Sequence, residues 1–165
     1  MRRHAGILAL LALHPSGLSA ERLALQLYGE AGNPVTVRAE IHRLRAQLGA
    51  DVVRTKPYRI GAEVDADFVR ARSALRHAHV GTLLDELHGP LPDSEAPAIC
   101  EEREALVATM RALALRSGRI DALWAFWETS SGADDLEVVD RLCALLSAVD
   151  PRRTVVLQHR ERLLH

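Results

Sequence analysis

The chain has 165 residues, of which 48% are apolar, 26% charged and only 4% aromatic. That length suits one domain or two small ones, and the composition fits a globular, Ala/Leu-rich helical protein and not a disordered one. The net charge of −1 conceals an asymmetry: residues 1–80 hold 12 Lys/Arg against 7 Asp/Glu, whereas residues 81–165 hold 9 against 15. Only the first half is therefore expected to meet a polyanion.

In chain order, Met1-Arg2-Arg3-His4 and the apolar run 5–13 imitate a signal peptide, with Leu18-Ser19-Ala20 resembling a cleavage site. His14-Pro15 closes the run. It is too short to span a membrane and serves better as a buried first helix over 3–13. The expectation is a cytoplasmic protein that keeps its N-terminus and has no membrane partner. Pro15-Ser16-Gly17 reads as a turn. Ser19 sits at an N-cap position, with Glu21 in the first turn of a second helix that runs to about Tyr28 with Leu23 and Leu27 inward. The segment 29–34 carries glycines, an asparagine and a proline, and ends that helix.

A third helix is expected over 35–48. Val37, Ile41, Leu44 and Leu48 recur on one helical face. Ala39, His42, Arg43 and Ala46 point the other way, flanked by Arg38 and Arg45 and, on the other side, by Thr36. Small residues allow close approach, and arginine offers a fork that bonds two acceptors at once; a DNA major groove calls for both. After Gly49-Ala50-Asp51, residues 52–55 and 58–60 read as a hairpin turning at Lys56-Pro57. Its Arg54, Lys56 and Arg59 can reach phosphates or a minor groove. Taken singly, these features are also those of a solvated basic face and a plain surface connection. Two helices, a turn, a basic third helix and a hairpin directly behind it favour a winged helix-turn-helix.

Thr36-Val37, then Ile41-x-Arg43-Leu44-Arg45-x-x-Leu48, then Arg54-x-x-x-Tyr58-Arg59 resembles the winged-helix DNA-binding domain of the OmpR type. The resemblance implies base-reading roles for Arg43 and Arg45 and a wing role for Arg54. The chain departs from that pattern in two places. Pro57 stands where the wing has glycine, and Glu40 stands where several relatives place a residue that touches phosphate. Residues ahead of the first helix also leave no room for the four-stranded sheet usual in that family.

The second half reads as almost wholly helical: a helix from Asp65 or Asp67 through about 79, a short one over 82–88, a three-proline loop over 89–97, then helices over about 98–117 and 120–127, one that Asp134 or Asp135 starts and that ends near Ser147, and a last one opened by Asp150-Pro151 through about Leu164. Short links suggest a stack of antiparallel helical hairpins, without a strict 34-residue repeat. Val64-Asp65-x-x-Phe68 through Gly89-Pro90-Leu91-Pro92-Asp93-Ser94 resembles the bacterial transcriptional activation domain, which follows an OmpR-type winged helix in antibiotic regulatory activators. A similar pair ends some GAF-domain regulators. The fold expected is thus mainly α: a winged helix-turn-helix with a short β-hairpin wing over 1–63, then an antiparallel helical-hairpin domain over 64–165.

No catalytic constellation emerges. His77 and His79, two apart, would point about 200° apart on a helix and read as surface residues. Trp124 and Trp127 read as core. Cys100 and Cys143 lack metal-ligand spacing and read as small buried residues. Neither a metal nor a cofactor is expected, and no enzyme activity. The reading is a sequence-specific DNA-binding transcriptional regulator. Its partner is double-stranded DNA, met by Thr36, Arg38, Ala39, His42, Arg43 and Arg45 of the third helix and by Arg54, Lys56 and Arg59 of the wing. The helical half is expected to form a homodimer or to contact RNA polymerase or a sensor domain. The rival is a helical-repeat interaction module whose winged helix binds protein and not DNA.

Overall fold

The computed structural model describes residues 2–76 and 94–165. Among them the chain is mainly helical, with one small antiparallel sheet. It divides into two compact units, one of Met1–Arg72 with Pro90–Ala105 and one of Ser73–Gly89 with Leu106–His165. The helix expected over 82–88, the residues His77 and His79, and most of the three-proline loop lie outside the described residues.

The first unit opens with α1 (Arg2–Leu13). Its apolar run is packed inward, with Ile7, Leu10 and Leu11 all at 1% exposure or less. Helix α2 (Ala20–Tyr28) begins where Ser19 Oγ accepts from the Arg22 amide, the cap read from the sequence. A 3₁₀ turn (Gly29–Ala31) leads to α3 (Pro34–Leu48), capped by Asn33 with Pro34 in its first turn. Val37, Ile41 and Leu44 are buried; each stabilises the docking of α3 by about 1.5–3 kcal/mol relative to exposure. Leu48, expected on the same inward face, is 44% exposed. It is the last residue of the helix, where the chain leaves the core at Gly49.

Strands β1 (Val53–Arg54) and β2 (Arg59–Ile60) pair antiparallel, with Val53 opposite Ile60 and Arg54 opposite Arg59. Helix α4 (Asp67–Arg76) follows. The core of this unit draws in Phe68 from α4, and Ala96 and Ile99 from the start of α5 (Pro97–Ser117). Residues beyond 63 thus complete a core that the sequence reading closed at that point.

The second unit is built from the rest of α5, then α6 (Ile120–Trp127), α7 (Leu136–Leu145) and α8 (Pro151–Leu163). Leu106, Met110 and Ala114 form the inward face of α5, at the i, i+4, i+8 spacing of one helical stripe. Asp135, one of the two starts left open by the sequence, caps α7, and Asp150 caps α8. The tryptophans are a correction: Trp124 and Trp127 are half-buried, stacked edge to face at 4.8 Å, and Phe126 between them is the core residue at 1% exposure. Cys100 and Cys143 are likewise half-buried free thiols, not fully buried. Among the described residues no helix is long and apolar enough to cross a membrane.

Candidate nucleic-acid interface

Burial of Val37, Ile41 and Leu44 decides which residues α3 turns outward. Thr36, Arg38, Ala39, His42, Arg43 and Ala46 are all exposed. The helix thus presents one continuous outer face of small and basic residues. Arg38 pairs with Glu21 of α2 at 2.7 Å, both side chains more than half exposed; such surface pairs are weak and exchange readily with solvent.

Arg45 is placed differently from its neighbours. It is half-buried, and its guanidinium donates to the carbonyls of Ala50 (3.1 Å) and Val53. It therefore ties the last turn of α3 to the first strand of the hairpin. Val53 is fully buried beside it.

The hairpin is braced at its other end. Leu18 and Tyr58 exchange backbone hydrogen bonds in both directions, each 2.9 Å, which joins the α1–α2 turn to the hairpin. Two glycines make this packing possible. Gly17 has φ 90°, and a Cβ there would lie 2.6 Å from Pro57 Cγ. A Cβ on Gly61 would fall 2.1 Å from the Asp51 carbonyl oxygen and 2.8 Å from Arg54 Nε. The Arg54 stem thus crosses the hairpin over a residue that has no side chain.

Arg54, Lys56 and Arg59 are exposed. Arg54 and Arg59 stand directly opposite each other in the ladder, an arrangement that destabilises a sheet by like-charge repulsion. Among the described residues none of these three cations has an ion-pair partner.

One charged residue of α3 faces inward. Glu40 is 7% exposed. Its Oε2 lies 2.9 Å from His4 Nε2 of α1, and its Oε1 accepts from Arg43 at 2.7 Å. The His4 hydrogen bond holds the Glu40 carboxyl below its ordinary range against the opposing effect of burial, and the charges of Arg43, His4 and Arg3 add to it. The resemblance put Glu40 at a position that touches phosphate in several relatives, but here its side chain is turned inward. The signal was present: with Val37, Ile41 and Leu44 inward, position 40 belongs to the same stripe, and a carboxylate there demands a partner.

Comparison with known proteins adds a coarse description. Residues 119–164 match a family described as YTH3-like protein, third C-terminal helical domain. The chain is 40% identical over 164 residues, 98% of its length, to an uncharacterised 47.3 kDa protein encoded in the thcA 5′ region of Rhodococcus erythropolis. It spans 37% of the length of that relative. No solved structure matches the chain. The family match agrees with the helical second unit seen here and carries no statement about what the first unit binds.

Proposed function

We infer that the first unit is a winged helix-turn-helix that reads double-stranded DNA, with α3 in the major groove and the β1–β2 hairpin as the wing. The observation that carries this reading is the pair Arg54 and Arg59, set opposite each other at the edge of a basic hairpin that Arg45 fastens to α3. Two arginines on paired residues, with no carboxylate partner among the described residues, leave donors open to an anion, and phosphate supplies one. Thr36, Ala39, His42 and Arg43 lie on the face that would enter the groove, with Arg38 at its edge. Phosphate contacts from the wing supply most of the affinity, and Arg43 supplies sequence preference. The helical second unit then serves as the part of a regulator that dimerises or contacts RNA polymerase or a sensor domain.

Arg45 takes a different place in this mechanism from the one that family resemblance implies. With its guanidinium on two backbone carbonyls, it sets the position of the wing relative to α3 and does not read a base.

Selection of bound duplexes from a random library tests the function. Enrichment of a defined sequence, with affinity that falls steeply as salt rises, is the expected result. Failure to enrich any sequence would favour the interaction-module reading. The 65% exposure of Val35 and 44% exposure of Leu48 at the two ends of α3 are what a protein-binding helix would also show.

A further inference from the structure

We propose that Glu40 is the positioning residue that aims Arg43 at its base, gripping the guanidinium from behind while His4 of α1 holds the carboxylate in place. The inference rests on the DNA-reading function above and adds to it the means by which one side chain acquires sequence preference.

An exposed arginine is conformationally free. Arg43 has a side-chain exposure of 64%, and an arginine that exposed samples many rotamers. On DNA a free guanidinium falls on the nearest phosphate as readily as on a base edge, and phosphate contacts carry no sequence information. Glu40 removes that freedom. Its side chain is 9% exposed, and one oxygen takes Arg43 while the other meets His4. The two carboxylate oxygens thus have separate partners, Arg43 on α3 itself and His4 on α1. The ion pair is i,i+3 along α3, so the guanidinium lies over the helix that would enter the groove.

The stoichiometry of donors fits. A guanidinium carries five N–H groups in a rigid fork. Glu40 occupies an NH1 donor, and the remaining donors still include an adjacent pair able to reach guanine O6 and N7 together. Glu40 also has a repulsive role. A carboxylate beneath the outer face disfavours phosphate nearby, so a misregistered approach that brings the backbone over Arg43 is penalised.

A merely structural Glu40 and a positioning Glu40 predict opposite signs for one measurement. Full-chain wild type and Glu40→Gln are put through the same random-duplex selection, and affinities for the enriched sequence and for random duplex are measured at low salt. Thermal melts accompany each. Positioning predicts that preference at one or two base pairs falls by about fivefold or more. Affinity for random duplex stays level or rises, because a negative charge is gone and Arg43 is free to take phosphate. A parallel fall in both affinities with a lowered melting temperature would assign Glu40 to the fold alone and overturn the proposal. So would an unchanged preference profile in a folded variant.

Should Glu40→Gln fail to fold, His4→Phe carries the test. It leaves Arg43 and Glu40 intact and removes only the second grip on the carboxylate. The same base pairs should lose preference, and an unaltered profile overturns the proposal. If the wild type itself enriches no sequence, the DNA-reading function falls and this proposal with it. If the wild type enriches a sequence that Glu40→Gln reads equally well, only the positioning role falls.

Discussion

In the second unit Arg111 is shared between Asp135 and Glu137, Arg160 pairs with Asp140, and Arg152 lies against both Asp150 and the ring of Trp124. On the hairpin of the first unit Arg54 faces Arg59 with Lys56 at the turn, and no described carboxylate answers them. The two units thus use the same side chain for different ends. Where arginines join helix to helix, they stabilise a fold at short range. On the hairpin they stand on paired residues with no described carboxylate to answer them. Net charge by halves points the same way, but only the geometry separates cations already satisfied from those that are not.

The largest expected effect tests where the first unit ends. Ile99 of α5 has 0% exposure and joins the core of α1, α2 and α3. Ile99→Ala should destabilise the first unit by roughly 2–5 kcal/mol, measured by urea unfolding. A loss under about 1 kcal/mol would show that this core closes without α5.

Next comes the Arg111 link. Arg111→Ala strips its partner from Asp135, whose side chain is 11% exposed. A cost of roughly 1–3 kcal/mol in the second unit is expected, with DNA affinity of the first unit unaltered. Equal loss of DNA affinity would dissolve the division of labour between the units. The same pair sets an acid response. Burial works to raise the Asp135 carboxyl, but the hydrogen bonds from Arg111 and the Val138 amide and the Arg111 charge outweigh it and leave it below the ordinary range. A lowered carboxyl contributes stability that is complete above the unfolded pKa of about 3.9 and is lost as pH falls through the folded value. The stability difference between wild type and Asp135→Asn should therefore persist to about pH 4 and vanish below it.

Arg45→Met keeps the length of the stem and removes its bonds to Ala50 and Val53. A loss of about 1 kcal/mol is expected, together with weaker binding to all sequences alike, since the wing is no longer fixed to α3. Weaker binding at one base pair only would return Arg45 to base reading. The smallest thermodynamic effect belongs to Arg54→Ala. With no ion pair to lose, stability should stay level, while the salt slope of DNA binding falls by about one unit. A destabilised hairpin with an unchanged slope would make Arg54 structural, like the arginines of the second unit.

Local signals in the sequence located most elements. Ser19, Asp135 and Asp150 cap helices in the structure, because a cap is made within three residues of itself. The outward set on α3 was legible for the same reason, since a helical stripe fixes its own opposite face. What escaped depends on residues distant in the chain. His4 meets Glu40 across 36 positions and Leu18 meets Tyr58 across the whole of α2 and α3. No local rule brings them together. Arg45 looked like its neighbours until the carbonyls of Ala50 and Val53 were in place. The limit of the first core escaped because Ile99 joins it from far along the chain, beyond α1, α2, α3 and the hairpin.

The double fastening of the hairpin, by Arg45 on one side and the Leu18–Tyr58 bridge on the other, has a calorimetric consequence. A wing that must order itself on contact would add the heat-capacity change and entropy cost of coupled folding to those of association. Here both contacts exist in the free protein. The heat-capacity change on binding should accordingly match the apolar area of a preformed surface. The association rate should depend on salt through encounter alone, with no slow phase for assembling the reader.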